Sequence, residues 1–152
     1  MTTEQQQTTR EILFGFFNEI GIISQLSSAL FQRLLPEGVH VAHFAIMNHM
    51  VRLGDDRTPQ QLASAMQVTK ATMTHSLKVL EARAFISVGP DPVDGRGKRV
   101  KLTAIGRQFH ADAIALLDKG LAPIAPKLLA LALPQATAEL RNVRQILDHF
   151  RD

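Results

Sequence analysis

The sequence predicts a mostly α chain (α+β) with one small β-hairpin, and three local observations predict it. Thr58-Pro59-Gln60-Gln61 is a marked helix start: Thr58 can N-cap, Pro59 suits the first helical position, and Gln61 completes a capping box. Two short apolar-periodic segments, Leu62-Ala63-Met66 and Met73-Leu77-Leu80, flank Gln67-Val68-Thr69 and read as two helices joined by a turn. After them, Phe85 to Val88 reads as a strand, residues 89–97 as a turn-rich tip, and Lys98 to Leu102 as a returning strand.

The other elements follow in order. The first ten residues are polar and expected to be disordered. From Glu11, residues Leu13, Phe17, Ile20, Ile23, Leu26, Leu30 and Leu34 recur at three- and four-residue steps, which predicts an amphipathic helix ending at Pro36-Glu37-Gly38. Val41, Phe44, Met47 and Val51 mark a second helix, closed by Leu53-Gly54-Asp55-Asp56. Thr103 is placed to cap a long helix carrying Ile105, Phe109, Ala113, Leu116 and Leu117. Around Gly120, Pro123 and Pro126 a kink is expected rather than a stop, because apolar residues resume at Leu128. Pro134 opens a last helix through Leu140, Val143, Ile146, Leu147 and Phe150.

Composition narrows the function. With 152 residues, 45% hydrophobic and 20% charged, the chain has the makeup of a folded single domain. It has no cysteine, which excludes disulfides, thiolate metal sites and a thiol nucleophile. No Ser/His/Asp or paired-carboxylate arrangement stands out, so no catalytic residue is assigned and an enzyme is not expected. Gly15, Asn18, Glu19 and Gly21 interrupt the first apolar stretch, so neither a signal peptide nor a membrane anchor is expected and the cytoplasm is the expected location. Charge is uneven: residues 57–107 hold nine Lys or Arg against three acids, a net of +6, while the remainder carries −3. A basic middle between apolar flanks predicts that the middle meets a polyanion.

A helix-turn-helix followed directly by a basic hairpin is a winged helix-turn-helix. With Met73, Leu77 and Leu80 turned inward, the opposite face carries Ala71, His75, Lys78 and Ala82, flanked by Thr72 and Thr74, and would enter a major groove. Thr69 and Lys70 would meet phosphate at the helix amino end. Arg96 at the tip is the candidate for the minor groove, Lys98 and Arg99 for flanking phosphates, and Asp94 for orienting Arg96 through a carboxylate–guanidinium pair.

The stretches TPQQLASAMQVTKATMTHSLKVLEARAFI and DGRGKRVKLTAIGRQ resemble the multiple-antibiotic-resistance-regulator (MarR) family, which has an acid-x-Arg wing tip, a basic-apolar return strand and Leu-Thr-x-x-Gly opening a long helix. The sequence departs from that pattern at Ala84, where the family usually has Gly, and at the Pro123-x-x-Pro126 break. The resemblance implies one MarR-like domain over 1–152, with a DNA-binding lobe at 40–107 and dimerisation helices at 11–35 and 108–152. It further implies a homodimer on a pseudo-palindromic operator in double-stranded DNA, acting as a repressor released by a small, often aromatic, ligand. Phe14, Phe17, His40, His43, Phe44 and Met47 are the candidate lining for that ligand. No metal ligand and no cofactor is assigned. The alternatives are a metal- or pH-responsive regulator acting through His40, His43 and His49, and a winged-helix protein-interaction module without DNA.

Overall fold

The computed structural model describes residues 3–151 as seven helices and two strands: α1 (Thr3–Gln32), α2 (Val41–Leu53), α3 (Pro59–Met66), α4 (Lys70–Ala82), β1 (Ile86–Pro90), β2 (Lys98–Leu102), α5 (Ala104–Leu121), α6 (Ala125–Leu129) and α7 (Leu133–Arg151). The chain divides into two compact units that part between Leu117 and Asp118.

In the first unit α1 begins at Thr3, so the polar residues expected to be disordered are helical from that point. Thr8 and Thr9 hydroxyls donate to carbonyls one turn back, at 3.0 and 2.8 Å, and a Gln7–Glu11 side-chain hydrogen bond spans the next turn. The apolar stripe of α1 is buried only near its end. Leu13, Phe17, Ile23 and Leu26 are exposed in the chain alone, whereas Phe31 in the last turn, and Leu35 just beyond the helix, join the core. By length and mean hydropathy (1.2) the stretch Glu4–Gln32 could cross a bilayer, but the same test is passed by helices of soluble proteins. Gln32 ties α1 to α2: its amide donates to the Val39 carbonyl at 2.9 Å and its carbonyl accepts from the Val41 amide at 3.0 Å.

The core lies where α2, α3, α4 and the hairpin converge. Met47, Met50, Leu62, Met73, Leu80 and Val100 are fully buried, and burial of each such side chain stabilises the fold by about 1.5–3 kcal/mol. The strands pair antiparallel with Ile86 opposite Leu102 and Pro90 opposite Lys98. Arg57 forms an isolated bridge to β2, exchanging both backbone hydrogen bonds with Val100 at 3.0 and 2.8 Å. Nothing in the local pattern announces this bridge.

Three histidines sit low on the proton scale. His110 is buried, stacks on Phe44 with ring centroids 5.1 Å apart and pairs its Nε2 with Asn48 Oδ1 at 3.1 Å. Burial alone holds it below the ordinary imidazole value of 6.5. Burial also depresses His43, helped by His40, His75 and Arg83, and His49, helped by Arg57 and Arg52. The unfolded chain therefore binds protons below pH 6.5 that the folded chain resists. Stability should be complete above that pH and decline as pH falls through it. A lower urea midpoint at pH 5.5 than at pH 7.5 is the expected result; equal midpoints would contradict it.

In the second unit the expected kink is a stop. α5 ends at Leu121, and a turn over 122–124, closed by Ile124 N–H to the Leu121 carbonyl at 3.0 Å, leads into the short α6. Pro123 has no N–H to donate and its ring collides with the carbonyl one turn back, while Pro126 sits in the first turn of α6 where both faults are harmless. Over its described residues, 108–151, the expected dimerisation segment 108–152 carries the rest of α5, then α6 and α7; Asp152 lies outside the described residues. α7 exposes Leu140, Ile146, Leu147 and Phe150.

Candidate nucleic-acid interface

Local chemistry builds α3 and α4. Thr58 Oγ1 accepts from the Gln61 amide at 3.1 Å while Gln61 Oε1 accepts from the Thr58 amide at 2.9 Å, closing the capping box. Gln67 ends α3 in the left-handed conformation (φ 54°) and turns the chain. Thr69 then caps α4, its Oγ1 accepting from the Thr72 amide at 3.1 Å. Met73, Leu77 and Leu80 are buried with Ser76, so Lys70, Ala71, Thr72, Thr74, His75, Lys78 and Ala82 face outward. The Thr74 hydroxyl donates to the Lys70 carbonyl at 2.8 Å, and the Thr69 and Thr72 hydroxyls share a hydrogen bond at 2.9 Å. These threonines are held close to the helix surface as short, fixed polar groups.

The C-terminus of α4 meets α5 and the wing at one crowded point. Ala84 adopts the left-handed conformation (φ 58°), as expected for a position where glycine is cheapest. Its amide donates to the Glu81 carbonyl at 2.8 Å and the Phe85 amide to the Leu80 carbonyl at 3.0 Å. Thr103 Oγ1 donates to the Ala84 carbonyl at 2.6 Å and accepts from the Gly106 amide at 2.9 Å, so one hydroxyl joins the end of α4 to the start of α5. Arg83 binds the Glu37 carbonyl and anchors the same end to the turn before α2. Ala84→Gly should relieve the left-handed strain, offset in part by a freer unfolded chain, and stabilise the protein by up to about 1 kcal/mol. A thermal melt checks it; no gain or a loss would sink the idea.

The wing tip departs from expectation at two residues. Asp94 makes no ion pair with Arg96; its Oδ1 accepts from the Arg96 amide at 3.1 Å, and this side chain shapes backbone rather than clasping the guanidinium. Arg99 does not project to solvent as a free cation. It lies between Asp56 (3.6 Å) and Asp91 (3.4 Å) with only 26% of its side chain exposed. Strand alternation explains this, because Val100 and Leu102 turn into the core and leave Arg99 and Lys101 on the other face, where the bridge at Arg57 delivers Asp56. Asp91 Oδ1 accepts from the Val93 and Asp94 amides at 2.9 and 3.3 Å. The Val93 hydrogen bond, against partial desolvation and with help from the Asp94 amide and Arg99, holds the Asp91 carboxyl below its ordinary value. Arg96 and Lys98 are exposed and form no ion pair among the described residues.

Lys70, Thr74, Arg96 and Lys98 line one open cleft of about 520 Å³ between the start of α4 and the wing, together with Thr58, Gln60 and Asp91. Gln60 enters the sequence reading only as part of a helix start and is given no binding role there; only the fold brings it to this surface. His75 and Lys78 lie further along the exposed face of α4.

The ligand-lining candidates are scattered. Phe14 and Phe17 are exposed on α1, His40 is exposed at the start of α2, and Phe44 is half-buried between Phe31 and His110. His43 is buried and its Nδ1 accepts from the His40 amide at 3.1 Å, and Met47 is wholly inside the core, so neither faces an open cleft. Among the described residues no three His, Asp or Glu side chains converge as a metal site.

The sequence model of the MarR family matches residues 37–97, which run from the turn before α2 to the wing tip. Over this segment the chain is similar to the MarR family, and the segment holds most of the winged helix described above. Solved structures of similar fold align over most of the chain. A probable transcriptional regulator from Pseudomonas aeruginosa is 26% identical, with 88% of this chain and 96% of that one aligned at a TM-score of 0.62. AbfR, solved in its reduced form bound to DNA, aligns over the whole of both chains at 18% identity and a TM-score of 0.73. BpsR from Bordetella bronchiseptica, whose DNA binding is regulated by 6-hydroxynicotinic acid, is 20% identical, with 87% of this chain and 98% of that one aligned at a TM-score of 0.66.

Proposed function

We propose that this chain is a sequence-specific reader of duplex DNA that acts as a homodimer and represses transcription until a small organic ligand releases it. The observation that carries the reading is the single surface on which the exposed face of α4 (Thr69, Lys70, Thr72, Thr74, His75, Lys78) stands beside the free cations Arg96 and Lys98 across an open cleft. Short polar side chains on a helix suit base edges in the major groove, while a guanidinium on a projecting tip suits a narrow minor groove. The exposed apolar rows of α1 and α7 supply area for a second copy, and a two-fold pair presents two recognition helices to two half-sites. DNA-bound AbfR and ligand-regulated BpsR make DNA and a small organic acid the first partners to try. Release would follow if the ligand binds better to a dimer whose recognition helices are misplaced.

The test is selection of bound sequences from random duplex DNA, then anisotropy titration of the winner at several salt concentrations. A pseudo-palindromic winner with a steep salt slope is the expected outcome. If no sequence is enriched and binding is weak at physiological salt, the protein-interaction reading takes its place.

A further inference from the structure

We propose that Arg99, gripped by Asp56 and Asp91, is a positioning residue that sets the wing tip so that Arg96 reaches DNA at a fixed angle, rather than a phosphate contact itself; this rests on the DNA-reading function above. The chain of contacts is continuous. Asp56 is presented by the Arg57–Val100 bridge and touches Arg99 at 3.6 Å. Arg99 touches Asp91 Oδ2 at 3.4 Å, and the other oxygen of Asp91 holds the amides of Val93 and Asp94. Asp94 holds the amide of Arg96, and backbone hydrogen bonds from Asp91 to Gly97 (3.0 Å) and from Gly97 to Asp94 (2.8 Å) close the tip.

Two features separate this role from phosphate binding. Arg99 Nε lies near two carboxylates, Asp56 (shared with Lys101 at 3.9 Å) and Asp91, so its charge is offset within the wing before any phosphate arrives. Asp56 Oδ1 and Arg99 Nε are buried without a hydrogen-bond partner, so this end of the guanidinium is turned away from solvent. A tip of this kind, with glycine at 95 and 97, has little packing to hold it, and polar contacts to its base are what remain. Fixing the tip before binding lowers the ordering cost of placing Arg96.

Arg99→Lys keeps a positive charge but removes the Nε that lies between the two carboxylates, and Asp91→Asn keeps the oxygen that caps Val93 and Asp94 but weakens the attraction to Arg99. In the full-length protein, amide hydrogen exchange at residues 93–97 should speed up in both variants, while exchange in α3 and α4 stays as in wild type. On the selected operator, preference for A·T over G·C pairs at the wing-contacted flanks should fall by about fivefold or more in both, with the salt slope unchanged. Adding Arg96→Ala to Arg99→Lys should then cost much less than Arg96→Ala alone. Unchanged tip exchange in both variants overturns the proposal whatever the DNA data show. A reduced salt slope with flank preference intact returns Arg99 to a phosphate contact. If wild type selects no sequence while tip exchange responds, the positioning network stands and the DNA reading is what fails.

Discussion

Gly106→Ala is expected to be among the most destabilising single substitutions in this chain. A Cβ at position 106 would collide with the Phe85 carbonyl, lying 2.8 Å from its carbon and 3.1 Å from the Phe85 Cα. These are backbone atoms, so no rotamer change relieves the contact, and either α5 or the α4–β1 junction must move. Overpacking of a side chain typically costs about 1–3 kcal/mol, and a clash with main chain belongs at or above the top of that range. The movement would also break the Thr103 hydrogen bonds to the Ala84 carbonyl and the Gly106 amide. Urea denaturation gives the cost directly, and a midpoint within error of wild type would show that the junction yields more easily than its geometry implies. Because Phe85 links α4 to the wing, DNA affinity should fall together with stability.

Arg96→Ala should leave stability near wild type and remove much of the DNA affinity. Arg96 is exposed, makes no ion pair among the described residues, and sits at the tip of a hairpin whose backbone is held by Asp91 and Asp94. Nothing in the fold depends on its guanidinium. A base-reading or groove-inserted arginine is worth about 1–3 kcal/mol, and a two-fold complex loses two. The salt slope should also become shallower, by about one for each lost phosphate-side contact. Anisotropy titration on the selected operator, alongside a thermal melt, separates the two effects. A fall in melting temperature matching the fall in affinity would mean that Arg96 serves the fold, and unchanged affinity would remove it from the interface.

Much of the molecule was legible because its signals are local. The Thr58–Gln61 capping box, the inward row Met73-Leu77-Leu80, the Thr103 cap and the return strand at 98–102 each depend on residues within a few positions of one another. Such features need no knowledge of the rest of the chain, since one helical turn or one strand repeat decides them. The outward residues of α4 were readable for the same reason: an inward row implies its opposite face.

What the tertiary structure decided involves groups distant in sequence. Arg99 could have met phosphate, solvent or any nearby acid; that it meets Asp56 and Asp91 follows from Arg57 pairing with Val100, which no local pattern encodes. His110 finds Asn48 across 62 positions, and Met47 leaves the set of cleft residues because the packing of α2 encloses it. Helix starts, faces and strand alternation are short-range steric and hydrogen-bonding choices that the sequence settles alone. The choice of partner for a charged or polar side chain depends on which surfaces the packed core brings together, and that is set only once the chain has folded.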